Sequence, residues 1–349
     1  MTPDITIAGR RIGLDHPPYV ICELSGNHNG SLDRALAMID AAAATGCDAI
    51  KLQTYTADTL TLECDGPGFR IEAGPWAGRT LHDLYAEAYT PYDWHAALFE
   101  RARQRGVTLF STPFDETAVE LLDSLGAPAY KIASFEAVDL PLIARVAACG
   151  KPMIISTGLA SLAEMEEALR TARTHGAAGV ALLHCVSAYP APIDEANVRT
   201  VPDLARRFGV VTGLSDHTPG SAASVAAVAL GACIIEKHFT LARADGGPDT
   251  AFSLEPAEFA SLVHNCKAAW SALGSATYDE LGSERAAAGH RRSLYVAADV
   301  AAGEPLTEAN VRSVRPGYGL APKHLPEVLG CRAARDLKFG EPLDWSMVG

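Results

Sequence analysis

Short apolar runs recur along the chain, and eight of them end in polar residues of the kinds that enzymes use. These runs are residues 19–23, 48–53, 107–112, 130–134, 153–156, 180–187, 210–217 and 233–238. Alanine- and leucine-rich stretches with helical spacing lie between them, for example 32–44, 94–105, 164–175 and 221–230. This alternation predicts an α/β fold, a (β/α)8 TIM barrel, in which chemistry gathers at the carboxyl ends of the strands. We therefore expect eight polar strand ends to face one mouth.

The chain is longer than a barrel requires. It has 349 residues, whereas a minimal barrel takes roughly 250, which leaves about 60 to 100 for other structure. From Arg291 onward, short strand-like pieces replace the helical pattern, and the phrases Ala302-Gly-Glu-Pro-Leu and Phe339-Gly-Glu-Pro-Leu indicate one turn-and-strand unit used twice. The sequence thus predicts a barrel domain over residues 1–280, a linker over 281–290 and a small β-rich domain over 291–349.

Two segments stand apart from the regular alternation of strands and helices. Residues 4–15 alternate between polar and apolar side chains, which predicts a small hairpin that caps the barrel. The connection over residues 55–91 is unusually long, and it carries the aromatic residues Phe69, Trp76 and Tyr85. Long loops in compact domains are usually functional or disordered, and aromatic residues argue against disorder. We therefore interpret this connection as an insertion that covers a substrate.

Composition excludes several classes of protein. A net charge of −13 argues against general binding to nucleic acid or anionic membranes. No apolar run approaches the roughly 18 residues of a membrane span, and no secretory signal pattern is present at the amino terminus, so we expect a cytoplasmic protein. The eight cysteines include no CxxC pair and mostly lie within apolar runs. Reduced, buried thiols are therefore expected rather than disulfides or a zinc site.

Two histidines end successive predicted strands. His217 and His238 close the seventh and eighth runs, so a barrel would make them neighbours at its rim. Two adjacent imidazoles are a plausible half-site for a divalent metal, with water or substrate completing the coordination. Asp216 and Glu236 are candidates to support that site. The alternative is that both histidines are ordinary core residues with satisfied hydrogen bonds.

A second set of polar strand ends combines ammonium groups with hydroxyl and amide groups. Lysines neutralise charge and hydroxyls donate directional hydrogen bonds, so this combination suits an anion such as a phosphate with a carboxylate. The set consists of Lys51, Gln53, Thr112, Lys131, Ser134, Ser156 and Ser215. Glu23 and Glu136 add carboxylates that could bind substrate hydroxyls or act as a general base, with a structural hydrogen bond as the alternative. Asp249, in a glycine-rich segment after the eighth run, could reach the mouth or simply form a turn.

Several phrases in and around these strand ends resemble those of one enzyme family. They are Cys22-Glu-Leu-Ser-Gly-Asn-His-Asn-Gly30, Lys51-Leu-Gln53, Phe110-Ser-Thr-Pro-Phe-Asp115, Tyr130-Lys-Ile-Ala-Ser-Phe-Glu136, Ser156-Thr-Gly158, Leu214-Ser-Asp-His-Thr218 and Glu236-Lys-His-Phe-Thr240. Together they resemble the sialic acid synthase family, whose members condense phosphoenolpyruvate with an N-acylated amino sugar. The last 60 or so residues are similar to the antifreeze-like (SAF) domain of that family.

The resemblance implies a role for each matching position. It implies a divalent ion, manganese or magnesium, on His217 and His238, and it assigns catalytic roles to Glu136, Lys131 and Glu23. The implied phosphoenolpyruvate contacts are Lys51, Thr112, Lys131, Ser134, Ser156, Ser187 and Ser215. The implied sugar contacts are Glu23, Gln53, Tyr189, Asp249 and Arg315. In the family the SAF domain reaches across a domain-swapped homodimer, so the resemblance also implies that Arg315 touches sugar bound by the other subunit.

Three further phrases narrow the resemblance within the family. Residues 52–56, 76–85 and 247–256 look like those of the pseudaminic acid synthase branch, whose sugar is 2,4-diacetamido-2,4,6-trideoxy-altrose. Ser187 departs from N-acetylneuraminate synthases, which usually carry asparagine there, and so indicates a different sugar or altered phosphate contacts. The alternatives are an N-acetylneuraminate or legionaminate synthase, a non-catalytic sugar-binding protein with the same fold, and, from the residues alone, a metal-dependent aldolase.

Overall fold

A two-stranded hairpin, β1 (Ile5–Ile7) and β2 (Arg10–Ile12), precedes eight parallel strands that close into a barrel. The barrel strands are β3 (Tyr19–Glu23), β4 (Ala49–Thr54), β5 (Thr108–Pro113), β6 (Tyr130–Ile132), β7 (Pro152–Ser156), β8 (Gly179–Cys185), β9 (Val211–Asp216) and β10 (Ile234–His238). β10 pairs with β3, which completes the closure and confirms the predicted barrel. The structure is a computed structural model that describes residues 3–349, in which one compact unit ends at Gly274 and a second comprises Ser275–Gly349.

Helices connect the strands as the periodicity predicted. They are α1 (Leu32–Ala44), α2 (Ala57–Leu60), α3 (Leu81–Ala88), α4 (His95–Arg105), α5 (Glu116–Ser124), α6 (Leu140–Ala147), α7 (Leu162–Thr174), α8 (Thr200–Phe208), α9 (Ala222–Ala229) and α10 (Pro256–Leu273). Helix α1 starts where the sequence predicts it, because the Ser31 side chain accepts a hydrogen bond from the Arg34 amide and caps the first turn. The long connection between β4 and β5 contains α2 and α3.

Side chains alternate between the two sides of each barrel strand. In β10, Ile235 packs in the layer between the barrel and its helices, whereas Ile234 packs inside the barrel. Glu236 and His238 follow Ile234 at every second position, and so they also face the interior. One strand can therefore place an apolar residue in the barrel interior at its beginning and polar, potentially functional residues in the mouth at its end.

The predicted hairpin is present and packs on the amino-terminal end of the barrel. Ile5, Ile7 and Ile12 form one buried cluster with interior residues such as Tyr19 and Phe110. Apolar burial at this end stabilises the fold by roughly 1.5–3 kcal/mol for each large side chain. The opposite end, where the strands terminate in polar residues, is left for the site.

The second unit is built around a two-stranded antiparallel pair, β11 (Ser293–Val296) and β12 (Val311–Val314), with short helices α11 (Arg285–Ala288) and α12 (Leu325–Val328). The two Gly-Glu-Pro-Leu phrases form the same turn. Glu304 accepts a hydrogen bond from the Ala301 amide at 2.8 Å, and Glu341 accepts one from the Lys338 amide at 3.1 Å. The leucines that end the two phrases are both fully buried in the core of this unit. The internal repeat predicted from the sequence is therefore a structural repeat.

Two expectations from composition can be compared with the structure. Five of the eight cysteines are buried, in agreement with their positions in apolar runs. Among the described residues, no helix is both long enough and apolar enough to cross a membrane.

Candidate active site

Two lysines and two glutamates form a buried charged cluster inside the mouth of the barrel. Lys51 Nζ lies 2.7 Å from Glu23 Oε2 and 3.7 Å from Glu236 Oε1. Lys131 Nζ lies 3.3 Å from the same oxygen of Glu236. None of the four side chains is more than 6% exposed. Burial of an isolated ammonium group would cost several kcal/mol, so the carboxylates are what allow two lysines to remain here.

The carboxylates and burial together determine the pKa of each lysine. Burial lowers the pKa of Lys51, but Glu23 and Glu236 outweigh it and hold that pKa above its ordinary value. For Lys131 burial prevails over the attraction of Glu236, and the pKa is lowered. Burial acts on Glu236 in the opposite direction, but the two lysines overcome it and keep the pKa of that carboxyl low. The cluster therefore joins one firmly charged ammonium group to one that gives up its proton more readily.

The predicted hydroxyl groups lie at or beside this cluster. Thr112 Oγ1 accepts a hydrogen bond from Lys51 Nζ at 3.2 Å, and Ser215 Oγ donates to the Glu236 carboxylate at 3.1 Å. On the other side of the mouth, Ser134 Oγ and Ser187 Oγ lie 2.8 Å apart. The Ser156 hydroxyl, at the end of β7, is buried and has no hydrogen-bond partner within the described chain. Hydroxyls without protein partners are available to an anion.

His217 and His238 are neighbours, as the barrel predicted. Their ring centroids lie 5.3 Å apart, and the ring of Tyr189 lies 4.3 Å from that of His217. The Nδ1 atom of His217 lies 2.9 Å from the Val186 carbonyl oxygen, so Nδ1 carries the proton and Nε2 keeps its lone pair. His238 Nδ1 is buried without a hydrogen-bond partner in the described chain, and the nearest acidic atom is an oxygen of Asp249 at 4.0 Å.

These histidines fit a divalent metal ion. Burial lowers the pKa of both imidazoles, and the other positive groups nearby lower that of His238 further, so both rings are neutral, as ligands must be. The unpartnered nitrogen of His238 is a donor atom without a protein contact. Within residues 3–349 no group of three or more acidic, histidine or cysteine side chains is arranged around a common metal position. The remaining coordination would therefore come from water or substrate.

Three of the predicted sugar contacts are linked by hydrogen bonds, directly or through Ser25. Gln53 Nε2 donates to Glu23 Oε1 at 2.9 Å and to Ser25 Oγ at 3.2 Å. The Ser25 hydroxyl in turn donates to the carboxylate of Asp249. Burial raises the pKa of Asp249 to about 6. Glu23, Gln53 and Asp249 thus form one polar side of the mouth although they come from β3, β4 and the segment after β10.

A cavity of about 540 Å³ opens above these groups. Its polar lining includes Gln53, Asp249, Glu136 and His238. Its remaining lining is largely apolar and comes mainly from the long connection between β4 and β5, with Leu60, Ile71, Ala73, Trp76, Leu81, Leu84, Tyr85 and Ala88. The predicted covering insertion therefore forms one wall of the cavity. A volume of this size suits a small-molecule ligand.

Trp76 fastens the insertion to the opposite rim. Its indole Nε1 donates a hydrogen bond to the Pro248 carbonyl oxygen at 2.8 Å. Its ring lies 5.7 Å from that of Tyr189 and 6.4 Å from that of Phe252. Aromatic pairs at these distances contribute beyond simple area burial. The insertion and the segment that carries Asp249 are thereby held together across the mouth.

The last two predicted residues are placed differently from one another. Glu136 follows β6 and lines the cavity, where burial raises its pKa to about 7 and leaves its Oε2 atom without a hydrogen-bond partner among the described residues. A carboxyl with such a pKa can take up or release a proton near neutral pH. Arg315 belongs to the second unit, where it follows β12 and is exposed.

A larger cleft, of about 810 Å³, lies on the outside of the barrel between α8 and α9. Its lining includes His184, Asp194, Arg199 and Asp203 but none of the predicted site residues. The predicted chemistry is therefore concentrated at the mouth of the barrel and not in this larger space.

Comparisons with known proteins identify the family of this chain. A profile of the NeuB family matches residues 38–278, which is more than half of the chain. The chain belongs to the NeuB family. A SAF domain profile matches residues 291–349, which confirms the predicted type of the second domain.

Individual NeuB-family relatives match over almost the full length. A pseudaminic acid synthase of Campylobacter jejuni is 44% identical over 332 residues, which cover 94% of this chain and 96% of the relative. An N,N'-diacetyllegionaminic acid synthase of Legionella pneumophila is 34% identical over 338 residues, covering 95% and 94% of the two chains. The crystal structure of an N-acetylneuraminic acid synthetase from Leptospira borgpetersenii with citrate is 32% identical and has a TM-score of 0.74, covering 82% of this chain and 95% of the other.

Sequence reasoning missed parts of this NeuB-family site. Ser25 lies before α1 and bridges Gln53 to Asp249; it belongs to the phrase Cys22–Gly30, but sequence reasoning gave it no role. Glu236 contacts the two lysines and Ser215 instead of supporting the histidines as expected, and its spacing of two from His238 could have indicated only that it faces inward. Asp216 was also expected near the histidines, but it faces the helices.

The actual partner of Asp216 is Lys237. The Lys237 ammonium lies 2.8 Å from Asp216 Oδ2 and donates to the Thr218 carbonyl oxygen at 2.5 Å. Ser224 Oγ also donates to the Asp216 carboxylate, at 2.6 Å. Both charged side chains are only 1% exposed. This ion pair lies outside the barrel, behind the strand ends that carry the two histidines.

Proposed function

We propose that this protein is a pseudaminic acid synthase, which condenses phosphoenolpyruvate with 2,4-diacetamido-2,4,6-trideoxy-altrose and releases phosphate. The observation that carries the proposal is 44% identity to the Campylobacter jejuni enzyme of that name over 94% of the chain, against 34% to the legionaminic acid synthase of Legionella pneumophila. The charged and hydroxyl-rich mouth supports the same reaction, because it offers an anion site and a sugar site side by side.

Phosphoenolpyruvate is bound by Lys51, Lys131 and the nearby hydroxyl groups. Glu23 and Glu236 hold the two lysines in position through ion pairs within the protein. Donors that need no rearrangement stabilise developing charge best, so the site acts by electrostatic preorganisation. The same contacts hold C3 of phosphoenolpyruvate against the aldehyde carbon of the open-chain sugar, within the distance at which a new bond can form.

C3 of phosphoenolpyruvate attacks the aldehyde carbon with the electron pair of the C2–C3 double bond, which forms the carbon–carbon bond and leaves positive charge at C2. The aldehyde C=O π bond opens at the same time, and its oxygen becomes a hydroxyl group by taking up one of the two protons that the added water releases. Glu136 takes a proton from water as the water oxygen adds to C2. The resulting tetrahedral intermediate expels phosphate by cleavage of the C2–O bond, and C2 becomes the keto carbon of the product. A divalent ion, manganese or magnesium, on His217 and His238 would supply Lewis-acid polarisation of the aldehyde oxygen.

Phosphate release from three sugars tests the proposed substrate. With phosphoenolpyruvate held constant, we expect the diacetamido-trideoxy-altrose to give the highest kcat/KM, ahead of its legionaminate-type isomer and of N-acetylmannosamine. Lys131→Met should abolish turnover. Lys151→Met should leave it unchanged, because Lys151 precedes β7 at the amino-terminal end of the barrel, away from the mouth. A preference for N-acetylmannosamine would refute the assignment.

Heavy-oxygen water tests the direction of bond cleavage. We expect the label in the keto group of the product and not in the released phosphate, because water adds to C2 and the original C2–O bond breaks. Label in phosphate would instead require attack at phosphorus.

The metal can be tested without an activity assay. We expect manganese to bind the chelator-treated protein in one-to-one stoichiometry by calorimetry, and His238→Ala to lose that binding while its melting curve remains cooperative. Unaltered manganese binding in His238→Ala would contradict the assigned ligands.

We further propose that the protein works in the cytoplasm as a homodimer in which Arg315 of one copy completes the sugar site of the other, as the family resemblance implies. Replacement of Arg315 should then raise the KM of the sugar much more than that of phosphoenolpyruvate. Equal effects on the two substrates would contradict this arrangement.

A further inference from the structure

The insertion between β4 and β5 has its charged and its apolar side chains on different sides. Residues 55–91 include eight Asp, Glu, Arg or Lys side chains, yet none of these is part of the described lining of the cavity. Four of them form ion pairs with one another, Arg70 with Asp65 and Arg79 with Glu87. The segment therefore presents charge to solvent and an apolar wall to the cavity.

The apolar wall is held firmly in position. Leu84 is buried, and Ile71 and Leu81 are half-buried. Beside them in the lining, the ring of Tyr55 lies 5.9 Å from that of Tyr85 and 5.2 Å from that of Phe114, and Trp76 donates a hydrogen bond to the Pro248 carbonyl oxygen. Because its side chains are closely packed, this wall cannot rearrange easily around a polar group, and it can therefore discriminate between ligands.

The chemistry at the other end fixes which way a sugar lies in the cavity. The aldehyde carbon must meet phosphoenolpyruvate beside the lysines, at the strand ends. The lining of the cavity combines residues at these strand ends, such as His238, with Leu60 and Ile71 of the insertion. The end of the sugar remote from the aldehyde, which carries C6, therefore extends toward the insertion. A methyl group is favoured against an apolar wall, whereas a hydroxyl there loses its hydrogen bonds to water.

We propose that Ile71, Leu81 and Leu84 form a subsite for the methyl end of a 6-deoxy sugar and that this subsite makes the enzyme select against sugars with a 6-hydroxyl group. This inference rests on the proposed function, because it needs the aldehyde end of the sugar to be at the lysines. The inference adds to that function the residues that determine specificity for the C6 end of the sugar.

The test compares two sugars that differ only at C6. Wild-type protein is assayed for phosphate release with phosphoenolpyruvate and either the 2,4-diacetamido-2,4,6-trideoxy sugar or its 6-hydroxy counterpart. We expect the deoxy sugar to be preferred by about 10- to 100-fold in kcat/KM. In Leu81→Asn and, separately, Ile71→Thr, that preference should fall about 10-fold, mainly through a higher KM for the deoxy sugar. Two variants are used so that the misfolding of one does not decide the result.

Leu62→Asn is the matched control. Leu62 belongs to the same insertion and is 66% exposed, and it is not part of the cavity lining. Its replacement should leave the preference unchanged. If both sugars are turned over but the preference is unaltered in Leu81→Asn and Ile71→Thr, or falls equally in Leu62→Asn, the subsite is refuted while the proposed function stands. If the wild-type protein consumes neither sugar with phosphoenolpyruvate, the proposed function fails and the subsite fails with it.

Discussion

Glu136 should make the folded protein less stable as the pH rises. Burial raises the pKa of this carboxyl from an ordinary 4.5 to about 7. Below pH 4.5 the group is protonated in both the folded and the unfolded chain. As the pH increases, the unfolded chain releases the proton first, so the folded state loses stability until its own pKa of about 7 has been passed.

The size of this effect follows from the same two pKa values. A tenfold change in proton affinity corresponds to about 1.4 kcal/mol, so the interval from 4.5 to about 7 corresponds to a loss on the order of 3 kcal/mol. Glu136→Gln cannot ionise and escapes the loss. We therefore expect the variant to match the wild type near pH 4.5 apart from a constant offset, to be more stable by about 3 kcal/mol near pH 8, and to have lost most of its activity.

Denaturant unfolding of the two proteins at a series of pH values measures this difference. The transition of the barrel unit is the one to follow, because a chain with two units need not unfold in a single step. Glu120→Gln, on the exposed side of α5, is the matched control for the loss of a carboxylate. A difference between wild type and Glu136→Gln that stays constant from pH 4.5 to pH 8 would refute the proton-holding role of this half-buried residue.

Three other substitutions test the packing of the site. Gly213→Ala should destabilise the barrel by about 1–3 kcal/mol, measured by thermal melting, because its new methyl group would collide with the Ile234 carbonyl oxygen of β10. Lys237→Met should cost about 3–5 kcal/mol by leaving Asp216 buried without a counter-ion, and the added replacement of Asp216 by Leu should recover much of it. Trp76→Phe keeps an aromatic ring but loses the hydrogen bond to Pro248, so the KM of the sugar should rise about 2- to 10-fold while that of phosphoenolpyruvate does not change.

The barrel and the inward direction of its polar strand ends could be predicted because they depend on local patterns. An apolar run of five or six residues followed by a polar one has the same meaning whatever its neighbours are, and parallel strands in a barrel align their carboxyl ends. The sequence alone therefore predicts that His217 lies next to His238 and that both lysines face the mouth, and the side-chain distances confirm both expectations.

The partners of those side chains could not be predicted, because they depend on contacts between distant parts of the chain. Ser25 and Asp249 are 224 positions apart, and their hydrogen bond exists only because the segment after β10 folds back over β3. Glu236 had two plausible destinations, the histidines or the lysines, and only the relative position of the strands decides between them. The length and aromatic residues of the insertion predicted that it covers the cavity, but Leu60, Ile71 and Trp76 follow no repeating period, so the sequence could not show which of its residues line that cavity.

The alternation along β10 has a consequence for how the barrel is assembled. A slip of one residue against its neighbours would turn Glu236 and His238 out toward the helices and bring Lys237 inside. It would also separate Lys237 from Asp216 and leave that carboxylate buried without compensation. The ion pair behind the site therefore penalises misregistered strand pairing from a place that no substrate touches. The outer pair of Lys237 and Asp216 thus favours the correct strand register independently of the charged groups inside the barrel.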